Sequence, residues 1–302
     1  MHPDLSAFLT AKSAAGLSAK SLRWYSMFVG QYLRWSDANR LDNKKPETVE
    51  AFLTYLRSQG KSAFTISGCY RALRVYFRWM VQRNRLPTNP LTGVQPPHLP
   101  TRRKRHVTDL EFRRLVQSIS GDTWIDARDR AIFLMLFYSG LRANELCCLQ
   151  VDDVDRVQMV LHINSGKGDK DRDVPFVPEL LSHIDNYLAC RPTGRKGWLF
   201  CAQLGHHAKQ GHLTYEGLKE IMRRRCAAAG MKRLGLHAFR HGYAMMLLNA
   251  GMELGALSRT LGHSSIETTR RFYADWSTAE LTRQYTAALR RLGPPPPLPN
   301  GS

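Results

Sequence analysis

The chain has 302 residues, 43% of them hydrophobic, which is more than one ordinary domain needs and enough for two cores. It carries 44 Lys+Arg against 25 Asp+Glu, a formal net charge of +19. That field attracts polyanions, so nucleic acid leads as partner over an anionic membrane surface or a ribosome. The longest apolar run, Ala131 to Tyr138, is too short to span a bilayer, and Met1-His-Pro-Asp4 opens no signal peptide. A cytoplasmic protein, nucleoid-associated when on DNA and with no membrane partner, is expected. Cys69, Cys147, Cys148, Cys190, Cys201 and Cys226 form no C-x-x-C pair and read as reduced, mostly buried thiols.

Residues 1–90 read as an all-helical domain. A helix from Ser18 places Leu22, Tyr25, Phe28, Val29, Tyr32 and Leu33 on one face, and a second follows Pro46-Glu-Thr48 with Val49, Phe52, Leu53 and Leu56, stopping at Gly60. The third, about Ser62 to Arg83, turns Leu73, Phe77 and Met80 to a core and lines up Arg71, Arg74 and Arg78 on another side. That stripe either tracks a phosphate backbone or is a solvated basic face. Residues 91–106 read as a Pro-rich basic linker ending in Arg102-Arg103-Lys104-Arg105, suited to cross a DNA groove between two domains.

Residues 107–293 read as a second, mixed domain, with a Pro-rich tail over 294–302. A capping box, Thr108-x-x-Glu111, leads a helix to about Ser118, and an apolar helix spans about Ala127 to Ser139. Gly140 ends it, and Arg142 follows where one helix gives way to the next, near a positive helix terminus that favours an anion. Glu145, one turn on, either orients that guanidinium or caps the helix; the capping role is favoured. Met159 to Ile163 and Asp173 to Phe176 read as strands around a Gly-rich turn that holds Lys167 between Gly166 and Gly168. Helices are expected at Pro178–Leu188, Tyr215–Ala229, His237–Asn249, Leu254–Leu261, Ser265–Tyr273 and Thr278–Leu292. His206, His207 and His212 lack a carboxylate or cysteine partner and read as a solvated loop, not a metal site.

Near the C-terminus stand His237-x-x-Arg240, Gly262-His263 and Tyr273. A phenol can attack phosphorus, an arginine fork can hold two phosphate oxygens, and imidazoles can donate or move protons. With Ser139-Gly-Leu-Arg142, Gly166-Lys-Gly168, Leu236-His-Ala-Phe-Arg-His241 and Leu261-Gly-His-Ser-Ser-Ile-Glu-Thr-Thr269 in this order, the chain resembles the tyrosine recombinase (phage integrase) family, including Xer-like site-specific recombinases, over nearly its whole length.

The resemblance implies a mainly α fold with a small antiparallel sheet: a helical core-binding domain and a mixed catalytic domain forming a clamp on DNA. It implies that Arg142 and Arg240 hold the scissile phosphate, Lys167 protonates the leaving 5′ oxygen, His237 assists proton transfer and His263 donates to a phosphate oxygen. Tyr273 would form a 3′-phosphotyrosyl link on the way to a Holliday junction, with no metal, ATP or other cofactor. Double-stranded DNA and a tetramer on two sites are the implied partners, with the helix after the nucleophile packed in trans. In the family the nucleophile most often stands nine residues after the Gly-His histidine, where this chain has Phe272; Tyr273 stands at ten. An inactivated DNA-binding protein on the same fold therefore remains an alternative, as does a type IB topoisomerase.

Overall fold

The computed structural model describes residues 2–100, 105–164, 171–192, 197–203, 211–263 and 265–270, together with Thr282 and Thr286. The chain divides into two compact units, Met1–Arg102 and Arg103–Ser302.

The first unit holds four helices, α1 (Pro3–Ala14), α2 (Ala19–Ala38), α3 (Pro46–Ser58) and α4 (Ala63–Gln82). Local chemistry sets their starts. Ser18 and Ser62 accept from the backbone N–H groups of Ser21 and Thr65, and Pro46 opens α3 where its missing N–H costs nothing. The core is aromatic: Phe8 meets Tyr25, Tyr76 and Trp79 edge-on, and Tyr32 meets Phe52 and Phe77 likewise. Edge-to-face pairs favour the ring quadrupoles beyond the area they bury. Tyr32 keeps its hydroxyl satisfied by donating to the Asn43 carbonyl at 2.8 Å.

Two features differ from the sequence expectation. Helix α1 has no clear apolar stripe, burying only Leu5 and Phe8, so periodicity does not reveal it. The segment expected to begin the linker also belongs in part to this core. Leu91 and Val94 are buried, and Tyr70 donates to the Val94 carbonyl at 3.1 Å.

The second unit is organised around α6 (Trp124–Ser139), which buries residues on every side and packs against α5 (Asp109–Gln117), α8 (Pro178–Cys190) and α10 (Leu236–Asn249). A helix buried all round can only be central. It begins three residues before the expected Ala127 because Thr123 and Asp126 form a capping box. The Thr108–Glu111 box caps α5 as expected.

Three antiparallel strands lie in the order β1 (Val154–Asp155), β2 (Val160–Ile163), β3 (Arg172–Pro175), with Ile163 opposite Arg172 and Val160 opposite Pro175. β1 was not expected. The Asp155 carboxylate accepts from the N–H groups of Val157 and Gln158, and Met159 adopts φ 56, so Met159 belongs to the turn and β2 starts one residue later. The remaining helices are α7 (Ala143–Cys148), α9 (Tyr215–Ala228), α11 (Leu254–Leu261) and α12 (Ile266–Arg270). The expected continuation of α12 to Tyr273 lies outside the described residues, as does most of the expected helix Thr278–Leu292. Among the described residues, no helix is long and apolar enough to cross a membrane.

Candidate active site

Two glycines shape the site. α6 ends at Gly140 with φ 61 and α11 ends at Gly262 with φ 63, left-handed caps that an L side chain rarely adopts. Space enforces the same choice: a Cβ at Gly140 would collide with the Tyr243 ring, and one at Gly262 would lie 2.8 Å from Cδ of Arg172. Each reversal is followed within two residues by a candidate residue, Arg142 after the first and His263 after the second.

Three arginines are seated by the helix ends that these caps expose. Arg240 is 5% exposed; it donates through Nη1 to the Gly140 carbonyl at 2.9 Å and through Nη2 to the Leu261 carbonyl. Carbonyls at helix C-termini carry partial negative charge, so they suit a cation. Arg142 donates to the Gly262 carbonyl at 3.1 Å and to Oε1 of Glu145 at 2.8 Å. Arg172, on β3, grips Glu145 with both Nη atoms, at 3.0 and 2.8 Å, and reaches the Thr260 carbonyl through Nε at 2.9 Å. The Glu145 carboxylate also accepts from the Arg142 backbone N–H at 2.7 Å. Glu145 therefore does both things the sequence offered as alternatives: it caps α7 and orients the Arg142 guanidinium.

The electrostatics follow from this geometry. Burial pushes the Glu145 carboxyl up, but the bonds from Arg172 and from the Arg142 backbone and side chain outweigh it, and the net direction is down. His263 is driven down to about 4, first by burial and then by Arg240, Arg142, Arg172 and His241. Its ring is neutral at physiological pH, with Nδ1 2.7 Å from the Thr269 hydroxyl.

The structure thus brings Arg142, Arg240 and His263 together around the ends of α6 and α11. His237 sits exposed in the first turn of α10, one turn before Arg240. Lys167 and Tyr273 lie outside the described residues. Arg71, Arg74 and Arg78 are all exposed along α4. Of the basic run, Arg105 pairs with Glu111 at 2.6 Å, while Arg102, Arg103 and Lys104 lie outside the described residues. His212 packs against the Trp198 ring, and His206 and His207 are outside the described residues. Among the described residues, no group of three His, Cys, Asp or Glu side chains is placed to hold a metal ion.

Sequence reasoning missed two residues. Nothing in Asp171-Arg-Asp173 marks Arg172 as interior, yet its side chain is only 7% exposed. Thr269 lies in a recognised motif but had no role until its contact with His263 was visible.

Comparison with known proteins matches both units to one family. Residues 105–280 match the phage integrase family, and residues 5–85 match the phage integrase N-terminal SAM-like domain. The tyrosine recombinase XerA of Thermococcus kodakarensis is 31% identical over 264 residues, covering 87% of each chain. The tyrosine recombinase XerC of Neisseria meningitidis is 30% identical over 243 residues, covering 80% of this chain and 78% of its own. Among solved structures, the Tn1549 transposon integrase in complex with transposon right end DNA has a TM-score of 0.72 at 21% identity, covering 94% of this chain and 98% of its own. With both units matched and the arginine and histidine motifs gathered in one place, the chain belongs to the phage integrase family of tyrosine recombinases.

Proposed function

We propose that this chain is a site-specific DNA recombinase that cuts and rejoins strands through a 3′-phosphotyrosyl link and a Holliday junction. The observation that carries the reading is the convergence of Arg142, Arg172 and Arg240 beside a neutral His263, with Glu145 shared between two of the guanidiniums. Such a pocket is electropositive and pre-organised before any anion arrives. Arg142 and Arg240 stabilise the charge that develops on the non-bridging oxygens of a scissile phosphate, each worth about 2–4 kcal/mol by analogy with other oxyanion donors.

In this reading His263 donates to a phosphate oxygen and His237 assists the proton of the attacking phenol. Lys167 protonates the leaving 5′ oxygen, and Tyr273 attacks phosphorus. The tyrosyl phosphodiester keeps the energy of the broken bond for religation, so the chemistry calls for neither metal nor ATP. The exposed stripe Arg71, Arg74 and Arg78 and the basic run Arg102 to Arg105 contact the DNA backbone. Strand exchange in pairs requires a tetramer on two sites, with the helix expected at Thr278–Leu292 packed on a neighbouring subunit.

The Xer relatives act as tyrosine recombinases by name, which supports the enzyme over a binding-only protein. A nicked suicide substrate carrying the cognate site tests it. Covalent trapping that is lost in Tyr273→Phe and in Arg142→Ala, with DNA binding retained, is the expected result. Tight binding without any adduct would establish the binding-only alternative.

A further inference from the structure

The Thr269 side chain is fully buried, and among the described residues its hydroxyl makes a single hydrogen bond, to Nδ1 of His263 at 2.7 Å. A hydroxyl carries one proton and two acceptor sites. If it only accepted from an Nδ1–H, its own proton would be buried with nothing to receive it, whereas donating leaves only its two acceptor sites idle. A buried donor left unmade is the more costly arrangement. The ring opposite is neutral, because burial and the neighbouring Arg240, Arg142, Arg172 and His241 all disfavour the imidazolium. A neutral imidazole holds one proton, and a ring whose Nδ1 accepts must carry it on Nε2.

We propose that Thr269 is a positioning residue whose hydroxyl donates to Nδ1 of His263 and so fixes the Nε2–H tautomer, the form able to donate to a phosphate oxygen. The opposite tautomer would present a bare Nε2 lone pair to an anion and repel it. The inference deepens the reading of His263 as a phosphate donor and rests on it for its functional consequence. It also ties the cap at Gly262 to α12, so the helix that ends three residues before Tyr273 in sequence and the orientation of His263 are set together.

The test reads the tautomer directly, without DNA. Protein labelled with 15N in its histidine rings is observed near neutral pH by long-range proton–nitrogen correlation, and His263 is assigned by the signal lost in His263→Gln. An unprotonated Nδ1 with a protonated Nε2 is expected in the native protein. Thr269→Val, nearly the same shape without the hydroxyl, loses that bias, and Thr269→Ser restores it; a merely structural role would not move this signature. An Nδ1–H tautomer in the native protein, or an unchanged tautomer in the valine variant, overturns the proposal. Should the valine variant not fold, the native spectrum alone decides. Because the readout needs no cleavage, its failure is distinct from failure of the recombinase reading.

Discussion

The helical unit and the unit carrying the site bury different chemistry. In the first, Ser36 and Thr48 are the buried polar side chains among the described residues, and Ser36 is satisfied within its own helix through the Leu33 carbonyl. The second buries Arg128, Asp129, Ser139, Arg240, Ser258 and Thr269. There Asp129, wholly buried, accepts from Arg128, Arg224 and Arg225, joining α6 to α9, while Arg128 also reaches the Cys201 carbonyl at 3.0 Å. A scaffold of rings is forgiving, because apolar packing is non-directional. A scaffold of buried charge is unforgiving, since removing one partner strands the other in a medium that cannot solvate it. The second unit sets this buried charge within an apolar core of its own, and it is the unit in which Arg240 is buried.

The contrast is broken most severely at Asp129. Asp129→Ala should destabilise the second unit by about 3–5 kcal/mol, as loss of one member of a buried ion pair does. Hydrogen exchange resolved by peptide should show faster exchange across α6 and α9 and little change in α1 to α4. Phe52→Ala is the matching test of the ring-built unit, with a loss of about 3–4 kcal/mol confined to residues 2–100. Equal spread of either effect over both units would deny the distinction.

Glu145→Gln separates positioning from stability. It keeps shape but removes the charge that Arg142 and Arg172 share, so cleavage of a suicide substrate should fall about a hundredfold through misplacement of Arg142. DNA affinity should change far less. A smaller effect comes with pH. Glu145 and His263 both have depressed folded values, so each binds fewer protons folded than unfolded. Their contribution is complete above about pH 6.5, the ordinary histidine value. It drains through His263 as pH falls from there toward about 4, and through Glu145 below the ordinary carboxylate range. Denaturation midpoints followed against pH in native and His263→Gln protein should diverge only below that onset. The smallest effect is Ser62→Ala, about 1 kcal/mol from the lost cap of α4.

Legibility in the sequence follows the same divide. Helices α2 through α4 stand where their apolar spacing puts them, because a single buried face writes itself into that spacing, and α5 stands where its capping box starts it. The four-motif order was enough to name the family. What escaped reading was made by contacts distant in sequence. Arg172 looks like surface charge until β3 carries it to Glu145 and Thr260, and Leu91 and Val94 look like linker until Tyr70 bonds to the segment. Asp129 lies in a segment read only as an apolar helix, yet it is the acceptor for arginines nearly a hundred positions away. β1, two residues long, offers no period at all.

Whether this chain joins itself to DNA through the site built around Arg142, Arg240 and His263 is decided by identifying the residue that carries the nucleotide. The trapped covalent complex from a nicked suicide substrate is digested and the DNA-bearing peptide sequenced by mass spectrometry. The adduct is expected on Tyr273, one position beyond Phe272. An adduct on another residue, or none despite tight binding of the cognate site, would contradict it.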